Sequence, residues 1–292
     1  MASRLVDIRR TLLSKARNAA LRQIARTDDR RLREWSRRRD RSVVLSSAAR
    51  LVSSVLERGP IVLQGEQSLG LLMAKECVAV SHPQIDLVLR GVVELPVQEA
   101  LRRRLPAGGV FWDVGADVGF FSLLGARITG PAGRVVAFEP SPEGAAAVRR
   151  HAELNGFSHV QVIEAAAGDQ AGTARFVLAG ESSWSHLAER GNRRDSDREL
   201  DVSLVVLDQL VEAGQIPPPD LVKIDVEGSE LAVLRGMQRT LERSGPAIVC
   251  ELHGTNSECI AFMEGAGYRL ENLDGPEPVA TAGPIHVLGV RS

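Results

Sequence analysis

From residue 110 onward, short apolar runs alternate with helical stretches, and this alternation limits the possible fold more than any other feature. The runs VVAF and AIVCEL suit strands that are buried on both faces. Helices are predicted over 119–128, 143–154 and 228–243, with Gly156 and Gly245 placed where two of them end. The strand candidates are Val110–Val114, Arg134–Phe138, Val160–Ala165, Asp220–Ile224 and Ala247–Glu251. Strands that alternate with helices predict an α/β fold with a doubly wound, mostly parallel sheet.

The segments on either side extend this core. Tyr268–Leu273 and Ile285–Val290 are joined by one loop and predict an antiparallel pair at the end of the sheet. Short apolar runs over 61–93 predict a small β layer, and the polar stretch 181–199 predicts a mobile loop. The predicted organisation is a basic helical segment at 1–58, a small β/α cap at 59–105 and the main domain at 106–292.

Composition excludes several classes of protein. With 44% hydrophobic and 25% charged residues, the chain is globular rather than disordered. It contains neither the roughly 20 consecutive apolar residues of a membrane span nor the apolar core of a secretory signal. Its three cysteines form no CxxC pair. We therefore expect a reduced, cytoplasmic protein without a structural zinc ion.

Positive charge is concentrated at the start of the chain. Residues 1–50 contain 15 lysines and arginines against 5 acidic residues, whereas residues 51–292 contain 21 against 32. Apolar residues recur at three- and four-residue steps over 1–41, which predicts a basic amphipathic helix. Such a helix can bind an anionic membrane surface or a partner, or it can pack on the domain or on a second copy of the chain. The acidic remainder makes a nucleic-acid partner unexpected.

The first strand candidate leads into a glycine turn, GADVG at 115–119, and then into a helix, as in nucleotide-binding folds. Gly115 allows the tight turn, and Gly119 allows the helix to pack closely. A dinucleotide site would have glycine at the position of Asp117, and Asp113 adds a second carboxylate nearby. Two carboxylates repel a pyrophosphate. They suit a ligand that has positive charge and no phosphate, such as S-adenosylmethionine.

Acidic residues also follow the second and third strands. Glu139 lies twenty residues after Gly119, and an acid at this spacing accepts hydrogen bonds from ribose hydroxyls. Asp169 follows the third strand candidate, whose end lies near the adenine in this fold. It accepts the adenine amino group, or it caps a turn beside Gly168. The first three strands therefore predict the cofactor site.

The fourth and fifth strands end in charged side chains that core packing does not explain. Alternation places Lys223, Asp225 and Glu227 on one side, and such residues are rarely buried without partners. Glu251 and His253 lie at the exit of the fifth strand, and histidine accepts a proton readily near pH 7. We predict Asp225, His253, Lys223 and Glu227 as the catalytic residues.

Three interpretations of this cluster remain open. His253 or Asp225 acts as a general base; or Asp225, Glu227, Glu251 and His253 share a divalent cation such as Mg²⁺. In the third interpretation, Lys223 forms a structural ion pair with Asp225 or Glu227, and His253 is a hydrogen-bonded residue at a strand end.

The other histidines have weaker indications. His151 and His159 flank Gly156 and are predicted at the surface. His186 lies in the polar loop, where it could contact an acceptor. His82 and His286 belong to no recognisable cluster.

The runs DVGADVGFFSLLGA, GRVVAFEPSPEG, AAAVRRHAELNG, LVKIDVEGSELAVLRGM and IVCELH together resemble the FkbM family of S-adenosylmethionine-dependent methyltransferases. The resemblance covers roughly residues 92–253. It implies a class I methyltransferase (Rossmann-like) fold and O-methylation of a hydroxyl on a sugar, glycolipid or natural product. The basic segment at 1–41 lies outside it.

The resemblance also implies roles for individual residues. The residues that resemble the methionine-binding loop are Asp113, Gly115, Ala116, Asp117 and Gly119. Glu139 resembles the ribose-binding acid, Asp225 with Glu227 the signature after the fourth strand, and Glu94 an acid found before the first helix of the domain. At Asp117 the family often has asparagine, so this chain carries an additional negative charge near the cofactor.

Two other functions compete with methyl transfer. An NAD-dependent oxidoreductase would share the strand–turn–helix unit, but the missing middle glycine and Asp117 argue against it. A non-catalytic protein is the other alternative: a cofactor-binding scaffold, or an adaptor that associates with a membrane or nucleic acid through the arginine-rich segment. The acids at the predicted strand exits favour an enzyme.

Overall fold

A computed structural model describes residues 61–63, 65–68, 70–74, 88, 91–178, 186–187, 198–279 and 286–291. The predicted helical segment at 1–58 lies outside these residues. So do His82 and most of the predicted loop at 181–199. In the described part of the chain, no helix is long and apolar enough to cross a membrane.

The described residues form helices and strands in close alternation. The helices are α1 (Leu95–Arg104), α2 (Phe120–Thr129), α3 (Pro142–Asn155), α4 (Leu207–Glu212), α5 (Glu230–Gly236), α6 (Gln238–Ser244) and α7 (Asn256–Gly265). The strands are β1 (Ile61–Val62), β2 (Leu72–Met73), β3 (Val110–Val114), β4 (Arg134–Phe138), β5 (Val160–Ile163), β6 (Ala166–Ala167), β7 (Gly172–Leu178), β8 (His186–Leu187), β9 (Arg198–Val205), β10 (Leu221–Ile224), β11 (Ala247–Glu251), β12 (Tyr268–Asn272) and β13 (His286–Arg291).

Seven strands form the central sheet, in the order β12-β13-β11-β10-β3-β4-β5. The five strands from β11 to β5 are parallel, whereas β13 runs antiparallel to both of its neighbours. After the central strand β3, the chain forms β4 and β5 on one side of β3 and then returns to form β10 on the other side. The strand order therefore reverses at β3. This is the topology of a class I methyltransferase, and it confirms the predicted doubly wound sheet. Ligands bind at such a reversal, outside the carboxyl ends of the strands.

The core lies on both faces of this sheet, because neighbouring side chains of a strand point in opposite directions. Phe111 packs with Leu101 and Leu124 in one buried cluster. Trp112 packs with residues of α5 and α7, including Leu234, in another. Both faces are therefore apolar, and the polar side chains that follow the strands collect at the sheet's carboxyl edge.

The predicted helix over 228–243 is two helices, α5 and α6. Met237 separates them with φ −121° and ψ 17°, outside helical geometry, and its side chain is fully buried. Asp208 binds the beginning of α6, because its carboxylate accepts hydrogen bonds from the backbone N–H groups of Arg239 and Thr240 at 2.8 and 2.9 Å. A buried apolar residue and a distant cap thus interrupt what the sequence presents as one helix.

A second sheet, of order β6-β9-β7-β8, is formed by strands that follow β5 in the chain, and the sequence did not predict it. Its main pair is antiparallel β7 and β9, and its buried side chains include Phe176 and Val202. The predicted third strand, Val160–Ala165, ends at Ile163, and Ala166–Ala167 belong to the second sheet. Few side chains here are buried, which explains the weak apolar signal.

The predicted small β layer is reduced, in the described residues, to the two-residue strands β1 and β2. Asn155, at the end of α3, attaches β2 to the main domain: its side chain accepts from the N–H of Leu72 and donates to the same residue's carbonyl, both at 2.8 Å. The asparagine of the asparagine-glycine motif therefore connects α3 to β2.

Candidate active site

The glycine turn after β3 lies against the exit of β10. Gly115 has φ +84°, and a Cβ atom there would lie 1.7 Å from the carbonyl oxygen of Asp225. The N–H groups of Gly115 and Ala116 both donate to the carbonyl of Phe138 at 3.0 Å. Gly119 begins α2 at φ +86° and would bring a Cβ to 3.1 Å from Val148. Both glycines are thus required, one for the turn and one for helix packing, as predicted from the spacing.

Asp113 is a buried acid at the end of β3, with 1% of its surface exposed. Its Oδ2 accepts a hydrogen bond from Ser122 Oγ at 2.5 Å, whereas its Oδ1 has no hydrogen-bond partner among the described residues. Burial raises the pKa of Asp113 to about 6, although the Lys223 ammonium opposes this shift. A buried carboxylate oxygen without a donor is suited to a cationic or hydrogen-bond-donating ligand.

Glu139 is held in place by backbone groups on both sides. Its Oε2 accepts from the N–H of Asp117 and its Oε1 from the N–H of Ser141, each at 2.8 Å. Asp117 has φ +48°, a left-handed conformation that aspartate and asparagine tolerate better than most residues. Burial raises the pKa of the Glu139 carboxyl to about 8. Each oxygen keeps further acceptor capacity for a ribose hydroxyl.

Asp169 is exposed and follows β6 rather than the end of β5. The neighbouring Gly168 packs closely against α5, because a Cβ on Gly236 would lie 2.0 Å from the Gly168 carbonyl oxygen. The adenine contact of Asp169 stays a prediction.

Lys223 is a buried cation within the predicted catalytic cluster, 3% exposed. Its Nζ donates to Asp225 Oδ2 at 2.7 Å and lies 4.8 Å from the ring centre of Phe121. Burial acts to lower the pKa of Lys223, but Asp225, Glu94 and Asp113 raise it well above its usual value. The ion pair that the sequence left open is therefore formed, and it orients the Asp225 carboxylate.

His253 lies among four carboxylates. Its Nδ1 is 2.9 Å from Glu230 Oε1, and its Nε2 is 3.4 Å from Glu251, 3.5 Å from Glu227 and 4.0 Å from Asp225. Burial acts to lower the pKa of His253, but the hydrogen bonds to Glu230 and Glu251 raise it to about 10. The imidazole is therefore protonated at neutral pH, and Nε2 is a hydrogen-bond donor.

Glu230, which fixes His253, is a functional residue that sequence reasoning missed. It is fully buried and also accepts from Thr255 Oγ1 at 2.7 Å and from the N–H of Gly228 at 2.8 Å. These hydrogen bonds lower its pKa, although burial acts to raise it. The available signal was its position as the last residue of KIDVEGSE.

Glu227 is a partly exposed acid of the cluster, with the same exposed fraction as Asp225. It has φ +52°, and its side chain is 23% exposed beside His253. Burial raises the pKa of Glu227 to about 7, against the opposing charge of His253. A carboxylate with such a pKa can exchange a proton near neutral pH.

The sequence prediction that His286 belongs to no cluster is wrong. The β11–β13 register places it opposite Glu251, and its Nε2 lies 3.5 Å from Glu251 and 3.6 Å from Glu94. Its Nδ1 is 2.8 Å from Asp274 Oδ1. Burial acts to lower the pKa of His286, but these acids raise it to about 10.

Two groups of three side chains have the spacing of cation ligands among the described residues. One is Asp225, Glu251 and His253; the other is Glu94, Glu251 and His286. The predicted ligand set was Asp225, Glu227, Glu251 and His253, so three of its members have suitable spacing with one another.

The surface prediction for two histidines needs correction. His151 is fully buried, and its Nδ1 lies 2.7 Å from the carbonyl oxygen of Val118 at the start of α2. His159 is partly buried, with Nε2 3.0 Å from the Ala126 carbonyl oxygen. His151 therefore connects α3 to the glycine turn, and His159 connects the residues before β5 to α2. His186 belongs to β8, but its side chain lies outside the described set.

Comparison with known proteins identifies the family of the chain. The family model of the methyltransferase FkbM domain matches residues 113–270, more than half of the chain. The chain belongs to the FkbM methyltransferase family. The match runs from Asp113, at the end of β3, into β12. Glu94 and His286 lie outside it.

Two named relatives are similar in sequence to this chain. A hexuronic acid methyltransferase of Haloferax volcanii is 32% identical over 171 residues, covering 56% of this chain and 64% of that protein. The chain therefore spans less than two thirds of that relative. The 31-O-demethyl-FK506 methyltransferase of Streptomyces tacrolimicus is 27% identical over 217 residues, covering 64% and 82%. The solved FkbM structure from Methylobacillus flagellatus aligns with 16% identity and a TM-score of 0.42, covering 70% of this chain and 60% of that one.

Proposed function

We propose that this FkbM-family chain transfers a methyl group from S-adenosylmethionine to a hydroxyl of a sugar, glycolipid or natural product. One observation carries the proposal: buried acids suited to the cofactor and a cluster of ionised groups suited to an acceptor flank the same strand, β3, where the strand order reverses. The family membership and the two named relatives, which act on a hexuronic acid and on demethyl-FK506, support it.

The residues of the cofactor half fit S-adenosylmethionine. Asp113 Oδ1, which has no partner within the described part of the chain, offers an acceptor for the ligand's ammonium, and Glu139 offers one for its ribose. The turn residues Gly115, Ala116, Asp117 and Gly119 shape the backbone beside it; we also assign Glu94 and Asp169 to this half. When bound, the cofactor supplies a methyl group on a positively charged sulfur.

The acceptor half must hold a hydroxyl and receive its proton. We propose that Asp225 accepts this single proton, since burial raises the pKa of its carboxyl. Burial also raises the pKa of Glu227, which is the second candidate for the same role. His253 is held protonated by its acidic neighbours, so it donates from Nε2 to the acceptor oxygen and positions it. Lys223 orients Asp225 from below. Positioning of this kind supplies much of the rate of a group transfer.

A divalent cation is a second proposal for the same step. The ligand spacing of Asp225, Glu251 and His253 supports Mg²⁺ as the group that orients the acceptor oxygen. Activity that survives EDTA would remove this proposal, whereas activity that is lost and then restored by Mg²⁺ would establish it.

We also propose that the protein works in the cytoplasm and that residues 1–41 contact an anionic membrane or a partner. The excess of arginine in that segment supports this proposal. Deletion of residues 1–41 should abolish sedimentation with phosphatidylserine vesicles; unchanged sedimentation would contradict it. Light scattering of both proteins tests a homo-oligomer.

Calorimetric titration with S-adenosylmethionine, S-adenosylhomocysteine and NADH tests the function directly. Binding of the first two without NADH is the expected result; tight NADH binding would favour an oxidoreductase instead. Methyl transfer from a labelled cofactor should then be lost in Asp225→Asn while S-adenosylhomocysteine binding is kept. Normal turnover of that variant would refute the role of Asp225.

A further inference from the structure

A second set of polar side chains lies beside the proposed reacting cluster and shares one carboxylate with it. Glu251 Oε1 is 3.4 Å from His253 Nε2, and Glu251 Oε2 is 3.5 Å from His286 Nε2. Glu94 Oε2 lies 3.6 Å from the same nitrogen of His286. One carboxylate therefore has an imidazole at each of its two oxygens.

His286 is oriented in the same manner as His253. Asp274 Oδ1 lies 2.8 Å from His286 Nδ1, and Asp274 Oδ2 accepts from the backbone N–H of His286 at 2.7 Å. Glu230 holds Nδ1 of His253 at 2.9 Å. A carboxylate on Nδ1 fixes the direction of the ring, so both Nε2 atoms are directed at Glu251.

The position of these groups favours a ligand over simple packing. His286 and Glu251 keep 13% and 20% of their side chains exposed, and the Nε2 atom of His286 is itself buried without a hydrogen-bond partner among the described residues. A buried polar atom that lacks a partner is suited to a ligand group. Both residues lie at the carboxyl edge of the sheet, where ligands of this fold bind. Glu94 is also one of three non-glycine residues with positive φ in the described residues, together with Asp117 and Glu227 of the site. Such backbone strain concentrates where function requires it.

We propose that His286, positioned by Asp274, binds the acceptor hydroxyl next to the one that is methylated. The acceptor then presents two adjacent hydroxyls across Glu251, and its class is a vicinal diol, as in sugars and hydroxylated rings. The inference rests on the proposed methyltransferase function. A carboxylate can accept hydrogen bonds from two neighbouring hydroxyls, and the Nε2 atom of each histidine can form a hydrogen bond with one of them. A single hydroxyl would occupy only the His253 side of the site.

Binding of simple sugars to the full chain tests this inference. The protein is saturated with S-adenosylhomocysteine, labelled with ¹³C in its histidine rings and titrated with methyl α-D-mannopyranoside and its monodeoxy analogues. We expect the parent sugar to shift the NMR signals of both His253 and His286. Loss of either hydroxyl of one adjacent pair should weaken binding about tenfold, or about 1.4 kcal/mol.

Variants separate the diol contact from a structural role. His286→Asn should weaken binding of the parent sugar about tenfold, yet change binding of the analogue without the second hydroxyl by less than about twofold. Asp274→Asn should act in the same direction and shift the titration of His286. His159→Asn, a matched histidine change away from the site, should leave both affinities and the His286 titration unchanged.

Two results would overturn the proposal. One is an equal loss of affinity for the parent sugar and its analogue in His286→Asn; the other is a His286 signal that no sugar shifts. Thermal melting of each variant separates these from unfolding, and a misfolded His286→Asn is replaced by His286→Gln. Failure of S-adenosylhomocysteine to bind the wild-type chain would instead overturn the proposed function, and this inference with it.

Discussion

Replacement of Gly115 by alanine measures how closely the cofactor turn packs on the exit of β10. The new Cβ would lie 1.7 Å from the Asp225 carbonyl oxygen, whereas real Cβ atoms essentially never approach closer than 3.0 Å. The obstacle is backbone, so no side chain can rotate away. One of the two segments must therefore move by about 1 Å or more, a displacement that can cost about 100-fold in rate when it affects a reacting group.

The cost to folding has two parts. The left-handed φ of +84° costs an alanine about 1–2 kcal/mol. The overlap adds about 1–3 kcal/mol, the usual range for an overpacked interior. We therefore expect Gly115→Ala to lower the free energy of unfolding by about 2–5 kcal/mol. Turnover should fall about 100-fold, because Asp225 follows the displaced backbone.

Urea denaturation and calorimetry with S-adenosylhomocysteine provide the measurements, and Gly156→Ala is the matched control. Gly156 has φ +70° at the end of α3, and a Cβ there would meet nothing within 4 Å. It should lose only the conformational part, about 1–2 kcal/mol, and keep full cofactor affinity. Equal stabilities of the two variants, with normal ligand binding by Gly115→Ala, would refute the close packing of the turn on β10.

Three further changes test other parts of the structure. The affinity for S-adenosylhomocysteine should rise roughly tenfold for each pH unit as the pH increases towards 8, because the ionised Glu139 accepts ribose hydroxyls and its pKa is about 8. Calorimetry of Glu139→Gln should show an affinity that does not change with pH, and a wild-type affinity that is independent of pH would contradict the assignment. Asp225→Ala should lower the free energy of unfolding in urea by about 3 kcal/mol, because it removes the ion-pair partner of the buried Lys223. Asp225→Asn should lower it less, and equal losses in the two variants would count against the ion pair. Asp208→Ala should lose about 1–2 kcal/mol by uncapping α6, and an unchanged urea midpoint would show that this cap is unimportant.

The sequence predicted the parts of the fold in which local pattern and tertiary position coincide. The parallel strands are nearly continuous apolar runs because helices cover both faces of the sheet, so their bounds differ from the structure by only one or two residues. The turn glycines and Asp113 could also be predicted, since the strand, the turn and the helix that they belong to are contiguous in the chain. The sequence offered Asp225 or Glu227 as an ion-pair partner of Lys223, since both lie close to it at the end of β10, and the structure forms the pair with Asp225.

The remainder depended on contacts between distant segments. His286 begins an antiparallel strand, and only the β11–β13 register brings it beside Glu251, 35 positions earlier in the chain. Glu230 has the sequence environment of a helix-starting surface acid, yet His253 and Thr255 bury it completely. The second sheet was missed because its strands pair across the polar stretch at 181–199 and bury few residues.

The two proposed halves of the site come from different strands of the central sheet. The cofactor acids follow β3 and β4, whereas the groups assigned to the acceptor follow β10 and β11 or begin β13. The two halves are in contact where Gly115 packs against the backbone of Asp225 and where Lys223 lies opposite Asp113 in the β10–β3 register. We therefore expect substitutions at the start of β13 to change acceptor binding while cofactor binding is kept, so that the two specificities can be altered independently.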